Sequence, residues 1–123
     1  MTLQNGITKI GPNAFSNTRV TELHIPPSLH VFYANIFGSR CQKIYLPDGI
    51  EVITQDLVRA VEVQEIVVPD TVVEIWENAF AGHEELEKVS FAENSVLREI
   101  KSCAFARTGI EKFTAPASLR VLE

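Results

Sequence analysis

A chain of 123 residues with a net charge of −5 and 46% apolar residues has the make-up of one folded domain. Acids and bases are mixed along it with no basic run, so the electrostatic footprint of a nucleic-acid binder is missing. No apolar run approaches the roughly 20 residues that span a bilayer, and two cysteines do not make a disulfide framework. The opening, MTLQNGITKIGPNAF, lacks the basic start and apolar core of a signal peptide, which by itself assigns no compartment.

One pattern repeats along the chain, most clearly from Asp70 to Ala92. The first unit places apolar residues at Ile7, Ile10, Ala14-Phe15, Val20, Leu23 and Ile25. The second has Leu29, Phe32, Ile36-Phe37, Cys41, Ile44 and Leu46, and the third Ile50, Ile53, Leu57-Val58, Val63, Ile66 and Val68. The fourth has Val72, Ile75, Ala79-Phe80, Leu86, Val89 and Phe91, and the fifth Leu97, Ile100, Ala104-Phe105, Ile110, Phe113 and Ala115. Leu119 and Leu122 close the array in mid-unit. All 37 of these positions are apolar, which a 46% apolar composition does not give by chance. Length varies only between Phe and the following Leu point, and at the inserted Glu93-Asn94. Loops of a solenoid tolerate such insertions.

The segments follow from local chemistry. Leu23-His24-Ile25-Pro26, Ile44-Tyr45-Leu46-Pro47 and Ile66-Val67-Val68-Pro69 have period two and branched side chains, so each predicts a short strand with alternate residues inward. Proline ends each strand because it has no N–H to donate. Asn, Ser or Gly before the A-F pair predicts a tight bend and a short helical or 3₁₀ turn. Val72 to Ile75 and its equivalents predict a second short strand on another face. Asp56-Leu57-Val58-Arg59-Ala60 departs from A-F, and a more helical turn is expected there.

This pattern resembles the BspA-like leucine-rich repeats, whose unit carries A-F-x-x-C and ends in I-P. Ala79-Phe80 and Ile66-Val67-Val68-Pro69 fit it, and Cys41 stands at the family's cysteine point. The expected fold is an α/β leucine-rich-repeat solenoid, mainly short parallel strands with short helical or 3₁₀ turns, as one array of about five units over residues 1–123. The resemblance implies a right-handed curved solenoid with a parallel sheet on one face. It further implies a fragment of a longer array, and a parent protein that is often secreted or surface-exposed, with adhesion or recognition roles.

Outward side chains of the predicted strands form rows. One is Glu22, Lys43, Glu65, Lys88 and Lys112; the next is His24, Tyr45, Val67, Ser90 and Thr114. The bland reading is a solvated ladder of ion pairs, each worth about 0–1 kcal/mol. The functional reading is a contact patch of His24, Tyr45 and Val67 flanked by Glu22, Lys43 and Glu65, since aromatic anchors beside charge suit a protein interface. Tyr33 and Trp76 fall on a second outer line with Thr54 between them, either as partly buried braces or as partner contacts.

His24, His30 and His83 occupy different points of their units, so a metal site with converging ligands is not expected. Cys41 and Cys103 lie three units apart, roughly 14 Å at one strand spacing per unit, beyond disulfide reach. No phosphate loop, G-x-S-x-G or H-E-x-x-H occurs, so neither catalysis nor a cofactor is expected. The leading expectation is a protein-recognition or adhesion module using the sheet face. The alternative is a structural scaffold segment that extends or self-assembles as a homo-oligomer through uncapped repeat ends.

Overall fold

The computed structural model describes residues 6–8, 21–27, 42–55, 63–111 and 113–123. Eight short strands run in chain order: β1 (Glu22–His24), β2 (Lys43–Tyr45), β3 (Val52–Ile53), β4 (Glu65–Val68), β5 (Glu74–Ile75), β6 (Lys88–Phe91), β7 (Glu99–Ile100) and β8 (Val121–Leu122). They form two parallel four-stranded sheets, β1-β2-β4-β6 and β3-β5-β7-β8. Over residues 50–91 each turn of the chain therefore lays one rung on each sheet, and the coil is a leucine-rich-repeat solenoid.

The in-register pairing explains why the apolar pattern is strict. Leu23, Ile44, Ile66 and Val89 meet across the first sheet, and Ile53, Ile75, Ile100 and Leu122 meet across the second. A one-residue slip in any rung would turn its apolar residues out to water. Every buried apolar side chain among the described residues, from Leu23 to Ala104, occupies a position of the repeat, and no polar side chain is buried. Pro26, Pro47 and Pro69 are themselves buried at the strand ends.

The A-F segments make a third stack. Ala79 N–H donates to Trp76 O and Ala81 N–H to Asn78 O, the i to i+3 bonds of a single 3₁₀-type turn. Asn78, Phe80 and Gly82 donate in turn to Ser102, Ala104 and Ala106 of the following unit. Asn78 and Cys103 open equivalent turns with φ of 57° and 58°. Asn tolerates that left-handed backbone through its short polar side chain. The packed interior of this stack is aromatic: Phe80 lies parallel to Phe105 at 5.2 Å, and Phe105 meets Phe113 at 5.2 Å.

A second recurring bond ties rung to rung. Thr71 Oγ1 donates to Ile50 O at 2.7 Å, and Ser118 Oγ donates to Leu97 O at 2.6 Å. Each hydroxyl precedes the first apolar point of its unit and caps the carbonyl of that point in an earlier unit.

Two sequence expectations need correction or limits. Residues 113–115 carry no strand, so the first sheet holds four strands among the described residues rather than five, and Thr114 joins no row. Phe113 stands where the other units have Leu, Ile or Val; its larger ring turns edge-on to Phe91 at 5.7 Å and tilts against Phe105. Ala115 replaces the large second inward residue. Tyr33, His30, Cys41, Lys112 and the atypical turn at 56–60 lie outside the described residues.

Candidate functional site

The outer face of the first sheet is built by register alone. Glu22, Lys43, Glu65 and Lys88 pair in sequence across β1, β2, β4 and β6, and His24, Tyr45, Val67 and Ser90 form the adjacent row. The first four members of each row therefore stand as their spacing predicts. Parallel strands lie about 4.8 Å apart, close enough for neighbours in a row to touch.

Contact is made mostly around two residues. The imidazole of His24 stacks on the Tyr45 ring with centroids 3.9 Å apart and planes 4° from parallel. Lys43 Nζ stands 5.0 Å from the centre of the same ring. Hydrogen bonding with Tyr45 raises the Lys43 ammonium above its ordinary pKa, desolvation opposes that rise, and the Glu65 carboxylate assists it. Glu65 is the other hub. Its Oε2 accepts the Ser90 hydroxyl at 2.8 Å and pairs with Lys43 and Lys88 at 3.8 and 3.9 Å. The Lys43 and Glu65 side chains are only 28% and 23% exposed.

This arrangement fixes an aromatic pair beside an ordered charge ladder. Tyr45 and Val67 are half-buried and His24 is exposed, so the patch offers an apolar centre rather than a layer of mobile side chains. Below it, Glu22, Lys43, Glu65 and Lys88 with Gln42 and Gln64 line a shallow polar trough of about 330 Å³. The surface can hold a partner by ring contact flanked by charge-assisted hydrogen bonds.

Trp76 lies apart from that patch, on the second sheet. Its backbone N–H donates to Ile53 O, and Lys101 N–H donates to Ile75 O, which places Thr54, Trp76 and Lys101 on successive rungs. The indole Nε1–H donates to Glu74 Oε2 at 2.8 Å. Lys101 Nζ stands 3.9 Å from the same carboxylate oxygen and 5.1 Å from the indole centre. The ring is 44% exposed. Sequence reasoning picked Trp76 and missed its partners. Alignment of the second strands of successive units puts Glu74 two residues before Trp76 and Lys101 on the next rung.

Other candidates separate. His83 Nδ1 lies 3.0 Å from Phe80 O inside the turn stack, and Cys103 is an exposed free thiol. Among the described residues no group of three or more His, Cys, Asp or Glu is placed to hold a metal ion. Among them, too, no helix is long and apolar enough to cross a membrane.

Comparison with known proteins agrees with this architecture. The family described as BspA type leucine rich repeat region (6 copies) matches over residues 1–66 and 58–123. No curated protein matches the chain. Among solved structures, the pneumococcal vaccine antigen PcpA is similar with a TM-score of 0.54 at 22% identity, over 98% of this chain and 31% of that one. A leucine rich cell surface protein from Faecalibacterium prausnitzii A2-165 is similar with a TM-score of 0.50 at 16% identity, over 94% of this chain and 39% of that one. Identities this low show a shared fold. The chain spans well under half the length of either protein.

Proposed function

The chain belongs to the BspA-type leucine-rich repeat family, and from that premise we propose that it is a non-catalytic recognition or adhesion module that binds a protein partner through the outer face of its first sheet. The observation that carries this reading is the preorganised aromatic pair, His24 stacked on Tyr45 with Lys43 above the ring. Ordering these side chains before contact lowers the entropic cost of binding. Val67 extends the apolar centre, and Glu22, Lys43 and Glu65 supply a charged flank that sets orientation. One structural neighbour is a leucine rich cell surface protein, which supports a role outside the cell.

The test is binding of the chain to a panel of immobilised matrix and cell-surface proteins, repeated with Tyr45→Ala combined with Val67→Glu. The expected result is a partner whose binding weakens at least about tenfold in the double variant, as loss of a central anchor predicts. Unchanged binding by a folded double variant would show that the partner uses another face.

A second reading, a scaffold segment that self-assembles by stacking rung on rung, is supported by the in-register parallel pairing that joins each rung to the next in both sheets. Light scattering over a wide concentration range tests it. Association abolished by Leu122→Lys is expected; a monomer at every concentration overturns it.

A further inference from the structure

The Trp76 cleft has features that the first-sheet patch lacks. It is a depression of about 490 Å³ lined by Thr54, Gln55, Trp76, Glu77 and Lys101, within the range of small-ligand sites. Trp76 is the sole tryptophan of the chain, and it is not a free rotor. Glu74, two residues earlier on β5, accepts its indole N–H, and Lys101 lies over the ring from the next rung. Thr54, on the rung before, is the shortest side chain of that row, so it leaves room beside the indole. The result is a flat apolar platform, fixed in angle and open to solvent, with polar groups around its rim.

We propose that this cleft is a saccharide-binding site that takes a neutral hexose or N-acetylhexosamine unit stacked on the Trp76 indole. The face of a pyranose ring that carries several C–H groups has the shape and weak positive charge that match the electron-rich face of an indole. Each sugar hydroxyl both donates and accepts. The rim answers both needs: the Gln55 amide and the Thr54 hydroxyl do either, the exposed Glu77 carboxylate accepts, and the Lys101 ammonium donates. A proline-rich peptide fits less well, because it needs successive aromatic walls, and Trp76 is the one aromatic lining this cleft among the described residues. A cationic ligand fits less well because the Lys101 ammonium, 5.1 Å from the indole centre, repels it, whereas a neutral ring meets no such repulsion. This site lies on the second sheet and is independent of the patch around Tyr45.

The lone tryptophan makes the test direct, since the intrinsic emission reports on the cleft itself. A glycan array followed by fluorescence titration with lactose, N-acetyllactosamine and any further array hit is the experiment. A saturable change with a Kd of about 1–10 mM is expected, the range of one sugar ring on one platform. Gln55→Ala should weaken it severalfold with an unchanged circular dichroism spectrum. Trp76→Ala, read by saturation-transfer NMR on the sugar, should weaken it at least about tenfold, and Tyr45→Ala should leave it unaltered. Three results overturn the proposal. One is no emission change and no array hit up to about 20 mM; the second is sugar binding that survives both Gln55→Ala and Trp76→Ala; the third is an emission change produced by peptides and by no saccharide.

Discussion

Removal of the Phe80 ring is the sharpest test of how the solenoid holds together. Phe80 is completely buried, stacks parallel on Phe105 at 5.2 Å and meets His83 edge-on at 6.2 Å. Its backbone N–H bonds Ala104 O of the next unit at 2.7 Å, so the stack of turns passes through it. Phe80→Ala returns the transfer free energy of a buried aromatic, about 1.5–3 kcal/mol. A void on the order of 100 Å³ at about 24 cal/mol per Å³ adds about 2 kcal/mol if the site does not collapse. The expected loss is thus about 3–5 kcal/mol, a large share of a domain's total stability. Urea titration followed by circular dichroism measures it, with Phe105→Ala, a half-buried partner, as the milder companion. A loss under about 1 kcal/mol for Phe80→Ala would mean that the A-F stack is not core and that the two sheets alone carry the fold.

Four further outcomes follow from particular contacts. Thr71→Val keeps the shape and removes the bond to Ile50 O; a loss of about 1 kcal/mol in the same titration is expected, and no loss would deny the rung-to-rung staple a role. Glu65→Gln disturbs a hub of exposed and half-exposed groups, so stability should move by less than about 1 kcal/mol and salt should mask the difference. Cys103→Gly relieves a left-handed backbone at an exposed turn; its stability should stay within about 1 kcal/mol of the parent, on the stabilising side, while Cys103→Val should be destabilising. Lys43 has a raised pKa, so whatever it adds to stability is fully present below the ordinary lysine value and is lost as pH rises through the higher folded value. An NMR titration of the Lys43 side chain should show a midpoint above the ordinary lysine value.

The fold was legible because the inward positions obey two strict rules at once, apolar character and fixed spacing. Leu23, Ile44, Ile66 and Val89 could be aligned before any contact was known, and the rows through Lys43 and Tyr45 followed from alternation along each strand. What the pattern could not express was side-chain size within an apolar class. Phe113 satisfies the same letter as Ile66, yet its ring takes edge-on and tilted contacts with Phe91 and Phe105, and residues 113–115 form no rung. The choice among polar partners was likewise hidden. Alternating signs suggested simple lateral pairs, but Glu65 also accepts the Ser90 hydroxyl from the neighbouring row. At Trp76 the spacing found the ring and not its clamp, because Glu74 and Lys101 act through the second sheet, whose two-residue strands leave a weak sequence signal.

The proposed function places the partner on the face that carries His24 and Tyr45. Hydroxyl-radical footprinting of the chain, with and without the partner that the binding panel yields, tests it at the side chains themselves. His24, Tyr45 and Lys43 are expected to lose labelling in the complex while Trp76 labels as before. Equal labelling of Tyr45 and His24 in both states would contradict it and would move the binding surface elsewhere on the solenoid.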